Sequence, residues 1–376
     1  MSETTLAVST KPLALEDAID IIVASRGKTT IHLKGEPGIG KTYIGNIIAK
    51  KLNMPFVYVD VPSTDISDVG IPIPNHETKT VQLYPSEHWG LHLGVPVCIL
   101  LDEYSKGAPA LQAILHPLLT NPRRVGSIKL HPDSIVMATG NLTTDGVGDM
   151  MRGHTINRVV PLTIGKPTAD EWIKNFAVHN NVHPVVMAWV KRETQVMQSY
   201  RDLADGDTNP FIYNPKTHNG TGLSYVSPRS LETASHFVWN YKENKITERQ
   251  LMACLEGAIG REGAQQLATF ISLENQIPSP DEIRDDPDTA IVPGDPAAVC
   301  LVMLSAVQWV KTRSDVKAWF KYITRKDSVS GKPAFSNETQ ALFVLNAREK
   351  PDLKEVMEST SEFGKWATGV KHLFGM

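Results

Sequence analysis

Eight consecutive residues, Gly35-Glu36-Pro37-Gly38-Ile39-Gly40-Lys41-Thr42, constrain this chain more than any other stretch. Their spacing is that of a phosphate-binding loop. Glycines let backbone N–H groups turn inward onto phosphate oxygens. A helix starting at the end of the loop offers its positive N-terminus to the same anion. Lys41 can reach the β- and γ-phosphates, and the Thr42 hydroxyl can hold magnesium. The flanks agree with this reading. Thr29 to Lys34 reads as a strand entering the loop, and Thr42 to Leu52 as a helix leaving it, with Ile44, Ile47, Ile48 and Leu52 on one side. A chance match would arise in roughly one chain in a hundred at ordinary residue frequencies. The strand and helix around the loop make chance a poorer account still, so a nucleoside triphosphate is expected here.

A second motif complements the first. Pro96 to Leu101 is a continuous apolar run, the mark of a strand buried on both faces of a parallel sheet. It ends in Asp102 and Glu103, and charges at the end of a buried strand need compensation. A strand running into an acidic surface turn would look the same in isolation. Beside a phosphate loop, Asp102 is expected to hold the magnesium shell and Glu103 to orient and polarise the attacking water.

The rest of the first half keeps a strand–helix rhythm. Leu15 to Ala24 and Pro109 to Leu119 have helical spacing. Pro55 to Val61, Ser134 to Ala138 and Val159 to Thr163 read as strands. Alternation of this kind predicts a parallel α/β sheet. Two stretches interrupt it: a hairpin around His76 to Lys79, and another within Asn121 to His131. After Gly165 the strands stop. Asp170 to Gln195, Pro228 to Tyr241 and Glu248 to Leu273 have helical periodicity, and Asp205 to Gly222 is a polar loop. Ile277 to Pro296, acidic and proline-rich, reads as a linker. Pro296 to Lys311 and Asp315 to Tyr322 are helical again. The expected division is an α/β domain over 1–165, a helical domain over 166–276 and a C-terminal helical region over 277–376.

The two motifs, in this order, resemble the Walker A and Walker B elements of P-loop NTPases. The residues that follow narrow the resemblance to AAA+ ATPases. Ile135-Val-Met-Ala-Thr-Gly-Asn141 looks like the sensor-1 strand, with Asn141 as its polar residue. Ile156-Asn-Arg158 looks like the site of the arginine finger that reaches a neighbouring subunit, and Ser227-Pro-Arg229 looks like sensor 2. Asp102 to Ala108, the hairpin Arg123-Arg124-Val-Gly126, Ala138 to Asn141 and the interruption near Asp68-Val-Gly70 are similar to the MoxR-like branch. Two details depart from that branch. Tyr104-Ser-Lys106 replaces an apolar-Asn-Arg run, and Asn157 stands where Asp is common. Arg152 is a rival finger.

Over about Ala14 to Gln276 the resemblance implies a five-stranded parallel sheet, an α-helical lid and a homo-oligomeric ring, usually hexameric. It implies ATP hydrolysis with Mg2+. In that scheme Lys41, Thr42 and Asp102 serve phosphates and metal. Glu103 and Asn141 handle water, Arg158 acts in trans, and Arg229 reports to the lid. It further implies chaperone-like remodelling of a protein partner, often one with a von Willebrand A-type domain.

Composition bounds the alternatives. The formal net charge of -3 supplies no global basic field for nucleic acid or an anionic membrane. A nucleic-acid-stimulated motor is therefore the second reading, and an ATP-locked scaffold with little turnover the third. Cys98, Cys254 and Cys300 are far apart and fit a reducing compartment. The polar residues up to Lys11 lack a signal-peptide core, and Leu93 to Leu101 is too short to span a bilayer, so a cytoplasmic protein is expected. Asp205-Gly-Asp-Thr-Asn209 opens like a calcium loop but has Pro210 where glycine is required. His179 and His183 lack an evident third ligand. Asn244-Lys-Ile-Thr247 is not a guanine-specificity motif, which leaves adenine as the expected base. Arg123 and Arg124 are read as an exposed hairpin tip, with contact to an acidic substrate as the rival view.

Overall fold

The computed structural model describes residues 11–142, 153–215, 222–327 and 330–370. The chain divides into two units. One comprises Met1–Lys166 with Asn214–Thr221, the other Pro167–Tyr213 with Gly222–Met376.

The first unit is built on a parallel sheet. Its strands are β1 (Thr30–Lys34), β2 (Phe56–Asp60), β5 (Cys98–Asp102), β8 (Ile135–Gly140) and β9 (Val159–Thr163), in the order β2-β5-β8-β1-β9. Side chains alternate across it, and both faces are buried. Ile99, Leu101, Val136 and Ala138 join one core. Cys98, Leu100, Ile135, Met137, Ile31 and Leu33 join the other. This double burial is why β5 is apolar from Cys98 to Leu101 rather than alternating. Helices α1 (Leu15–Ala24) and α2 (Lys41–Leu52) cover one face through Ala18, Ile19, Ile22, Ile44 and Ile48. The helix Pro109–Leu115 covers the other through Leu111 and Leu115. This helix, expected to reach Leu119, stops at Leu115 and tightens into a 3-10 turn over His116–Leu118. Pro117 is the cause, since it lacks an N–H and its ring collides with the preceding turn.

Both expected hairpins form outside the sheet. Strands β3 (Gly70–Asn75) and β4 (Thr80–Pro85) pair antiparallel, as do β6 (Arg124–Val125) and β7 (Ile128–Lys129). The first carries Ile71, Ile73, Val81 and Tyr84 in exposed positions.

The second unit is helical, and a single apolar core runs from Trp172 to Val370. Packing therefore joins residues on both sides of Ile277. The helix expected over Asp170 to Gln195 is interrupted. A short α-helix (Ala169–Trp172) runs into a π-turn (Ile173–Ala177), and a new helix starts at Pro184 behind its N-cap His183. The helix Glu248–Leu273 kinks at Gly260, whose φ is 77°. A Cβ there would lie 2.7 Å from Ser224 O, so glycine is what lets the two backbones approach. The expected linker contains a helix, Pro280–Asp285. Ser279 caps it and Glu282 completes a capping box, a local device strong enough to order an acidic stretch. Among the described residues no helix is long and apolar enough to cross a membrane.

Candidate nucleotide site

Strand β8 pairs in parallel with both β1 and β5, which brings their C-terminal ends side by side. Open α/β sheets bind ligands at this edge. Lys34, Asp102 and Gly140 end the three strands, so the loop 35–42, the acidic pair and Asn141 leave the sheet together.

The loop is shaped by its glycines. Gly38 and Gly40 have φ of 75° and 102°, which L side chains rarely adopt. Gly40 then serves as the residue before α2, whose first turn carries Lys41 and Thr42. Ile39 is buried in the core beneath the loop and anchors it. Glu36 is buried as well, while Pro37 is half-buried.

Lys41 is buried and its ammonium curls back over the loop. Nζ donates to Gly35 O at 2.7 Å, to Glu36 O at 2.8 Å and to Asn141 Oδ1 at 3.2 Å. Below it, His32 on β1 is 2% exposed. Burial first, then Lys34 and Lys41, push its pKa down to about 4. The ring is therefore neutral at ordinary pH and adds no second cation under the loop.

Asp102 is a convergence point. Its Oδ2 accepts from Thr42 Oγ1 at 3.1 Å and from Tyr58 OH at 3.0 Å, and its Oδ1 accepts a short bond from Thr139 Oγ1. The hydroxyls come from α2, β2 and β8, the helix after the loop and the two strands flanking β5. They supply the compensation that a carboxylate at the end of a buried strand requires.

Glu103 leaves the strand in the left-handed region, at φ 50° and ψ 40°. Its N–H donates to Thr139 Oγ1 at 3.0 Å. Its carboxylate receives Lys106 Nζ at 2.7 Å and Asn141 Nδ2 at 3.5 Å. Lys41, Asn141, Glu103 and Lys106 thus form a continuous chain of polar contacts across the site.

The structure brings together Lys41, Thr42, Asp102, Glu103 and Asn141. Arg158 lies elsewhere. It precedes β9, whose first residue Val159 is in register with Thr30, the first residue of β1. The loop follows the last residue of β1. A five-residue strand spans about 13 Å, so Arg158 sits at the opposite edge of the sheet from its own chain's Lys41. Arg229 belongs to the helical unit. It is exposed at the second position of the helix Pro228–Lys242, behind the Ser227–Ser230 capping box. Arg152 lies outside the described residues.

One expected surface residue is interior. Arg123 is buried, with its guanidinium donating to Ser134 O and to Thr30 Oγ1, both at 3.1 Å. It ties the second hairpin to the N-terminal edge of the sheet and cannot touch a substrate there; Arg124 remains exposed. Three residues of the site were not foreseen from sequence: Tyr58, Lys106 and Thr139. Tyr58 and Thr139 are adjacent to Asp102 only through strand order, which leaves no local pattern. Lys106 was readable, since it lies three positions after Glu103, the spacing of neighbours on a helical turn.

Residues 31–156 match the sequence model of AAA, the ATPase family associated with various cellular activities. A comparison with curated proteins finds no match. The matched segment starts in β1 and carries the loop, the acidic pair and Asn141 on the sheet described above. The first unit has the α/β P-loop NTPase fold, and residues 31–156 within it are similar to the AAA family.

Proposed function

We propose that this protein hydrolyses ATP between neighbouring copies in a ring and uses the cycle to remodel a protein partner, in the manner of the MoxR-like branch. The observation that carries the first half is the convergence at one sheet edge of Lys41, the Thr42–Asp102 pair, Glu103 and Asn141. In this reading residues Gly35 to Thr42 cradle the phosphates, and Lys41 exchanges its carbonyl partners for phosphate oxygens. Asn141 and Glu103 hold and polarise the attacking water.

Magnesium fits the donors present. The Thr42 hydroxyl and the Asp102 carboxylate are hard oxygen ligands 3.1 Å apart, the type that this ion prefers. When bound, the ion neutralises charge developing on the phosphates. Adenine remains the expected base.

The position of Arg158 supports a multi-subunit site. An arginine at the far edge of the sheet cannot stabilise charge on its own chain's nucleotide, but it can serve a neighbour's. Arg229, presented at a helix start, suits a lid residue that senses the γ-phosphate, with 166–276 acting as the lid and 277–376 as a further helical region. A hexamer and a partner with a von Willebrand A-type domain rest on the family resemblance alone; a cytoplasmic location rests on the three widely separated cysteines.

The test uses Glu103→Gln in the full chain. The variant should bind ATP, hydrolyse it barely, and retain a protein partner in an ATP-dependent pull-down. Turnover at the wild-type rate would remove Glu103 from its role. Strong stimulation of the wild-type enzyme by DNA or RNA, falling with salt, would favour the nucleic-acid motor instead.

A further inference from the structure

We propose that Thr139 is a positioning residue that sets Asp102 and Glu103 as one unit, so that the metal-side and water-side carboxylates are aligned by a single hydroxyl. The inference rests on the reading of the site given above. A threonine hydroxyl has one proton and two lone pairs. The Glu103 N–H donates to Thr139 Oγ1 at 3.0 Å. The hydroxyl proton is therefore free to go to one acceptor, and that acceptor is Asp102 Oδ1. The direction of the chain Glu103 N–H to Thr139 O–H to Asp102 is fixed, and each bond polarises the next.

The location makes this bridge hard to replace. Thr139 is wholly buried on β8, directly after the Leu101–Ala138 pair, and so stands opposite Asp102. Its β-branched side chain has few rotamers. Glu103 adopts the left-handed region, so the chain turns away from β5 just after its N–H. The hydroxyl meets that N–H and holds the turn that aims the Glu103 side chain. The same hydroxyl fixes the rotation of Asp102, whose other oxygen is shared by Thr42 and Tyr58. Tyr58 is the natural comparator, because it reaches Asp102 from β2, on the other side of β5 from Thr139.

The experiment compares steady-state ATP hydrolysis by the full chain as wild type, Thr139→Val, Thr139→Ser, Tyr58→Phe and Glu103→Gln, over a range of magnesium concentrations. Valine keeps the shape and removes the hydroxyl. Thr139→Val should lower kcat about tenfold or more while leaving KM for ATP within about threefold, the signature of an interaction used mainly in the transition state. It should also raise the magnesium needed for half-maximal rate. Thr139→Ser should recover most of the lost rate. Tyr58→Phe should shift the magnesium dependence with a smaller loss in kcat.

Adding Thr139→Val to Glu103→Gln should cost little more, since residues acting as a unit are non-additive. If Thr139→Val does not fold, Thr139→Ala carries the same comparisons. A Thr139→Val kcat no lower than that of Tyr58→Phe would overturn the link to Glu103, as would full additivity with Glu103→Gln. If Glu103→Gln itself turned over normally, the reading of the site would fail first, and the two failures are thereby separable.

Discussion

Lys106 Nζ lies 2.7 Å from Glu103 Oε2, one 3-10 turn further along the chain. The side chains are 29% and 38% exposed. An ion pair this open to water is worth about 0–1 kcal/mol. It biases the Glu103 rotamer without locking it, and Asn141 is ready on the other carboxylate oxygen. Lys106→Ala should therefore change the hydrolysis rate by less than about fivefold. Glu103→Gln should lower it by about a hundredfold or more. Steady-state phosphate release from the two variants, measured side by side, checks this. A collapse of activity in Lys106→Ala equal to that of Glu103→Gln would mean that the ammonium itself takes part in the chemistry.

Lys41 donates to two carbonyl oxygens of the loop it belongs to, as well as to Asn141. Removing it costs a clasp on the loop and, in the proposed function, the charge that meets the phosphates. Lys41→Ala should lower affinity for a fluorescent ATP analogue by about tenfold or more, since hydrogen bonds to charged groups contribute about 1.5–3 kcal/mol. Binding unchanged in the variant would show that the loop cradles phosphate without its lysine.

Lys41 and Glu103 stand in motifs that are legible in the amino-acid sequence. The strand Cys98–Asp102 is readable because burial on both faces leaves an unbroken apolar run. The loop is readable because its backbone geometry needs glycine at defined positions. Features that leave no sequence signature depend on strand order or on local breaks. Thr139 and Tyr58 meet at Asp102 only because β8 and β2 flank β5. Arg123 sits in a polar hairpin sequence, yet Ser134 and Thr30 draw its guanidinium inside. The helix Pro280–Asp285 hides in an acidic segment, although Ser279, Pro280 and Glu282 spell a helix start. The π-turn at Ile173–Ala177 leaves no periodic trace.

Acidification should destabilise the fold through buried histidines. His183 is 3% exposed, edge-on to Trp239, and its Nδ1 accepts from Val185 N at 3.2 Å. Glu274 lies 3.7 Å from Nε2 but is also engaged by Lys242. Burial first, then Lys242, push the pKa down to about 3. The unfolded chain takes up this proton near 6.5, the folded chain only near 3. The stabilisation is complete above about pH 6.5 and is lost as pH falls through that window, by up to about 1.4 kcal/mol per pH unit. His32 acts in the same direction down to about 4. Urea midpoints should therefore fall between about pH 7 and about pH 5.5, and His183→Gln should flatten that slope. A midpoint that rises on acidification would contradict the account.

Arg158 allows the subunit-boundary claim to be tested without knowing the partner. The register of Thr30 with Val159 sets this arginine at the edge of the sheet that its own loop does not occupy. Arg158→Ala should bind ATP nearly as well as wild type, since the proposed role of this arginine is to stabilise charge in the transition state. Its hydrolysis should fall by about a thousandfold, the scale at which a trans arginine acts in phosphoryl transfer. Lys41→Ala has the opposite defect, an intact Arg158 beside a failed loop. Mixing the two inactive variants should restore part of the wild-type rate, because some boundaries then pair a good loop with a good arginine. The recovery should vary with the mixing ratio and peak near equal amounts. No recovery at any ratio, in a mixture shown to co-assemble, would assign the trans role to another residue, with Arg152 first in line.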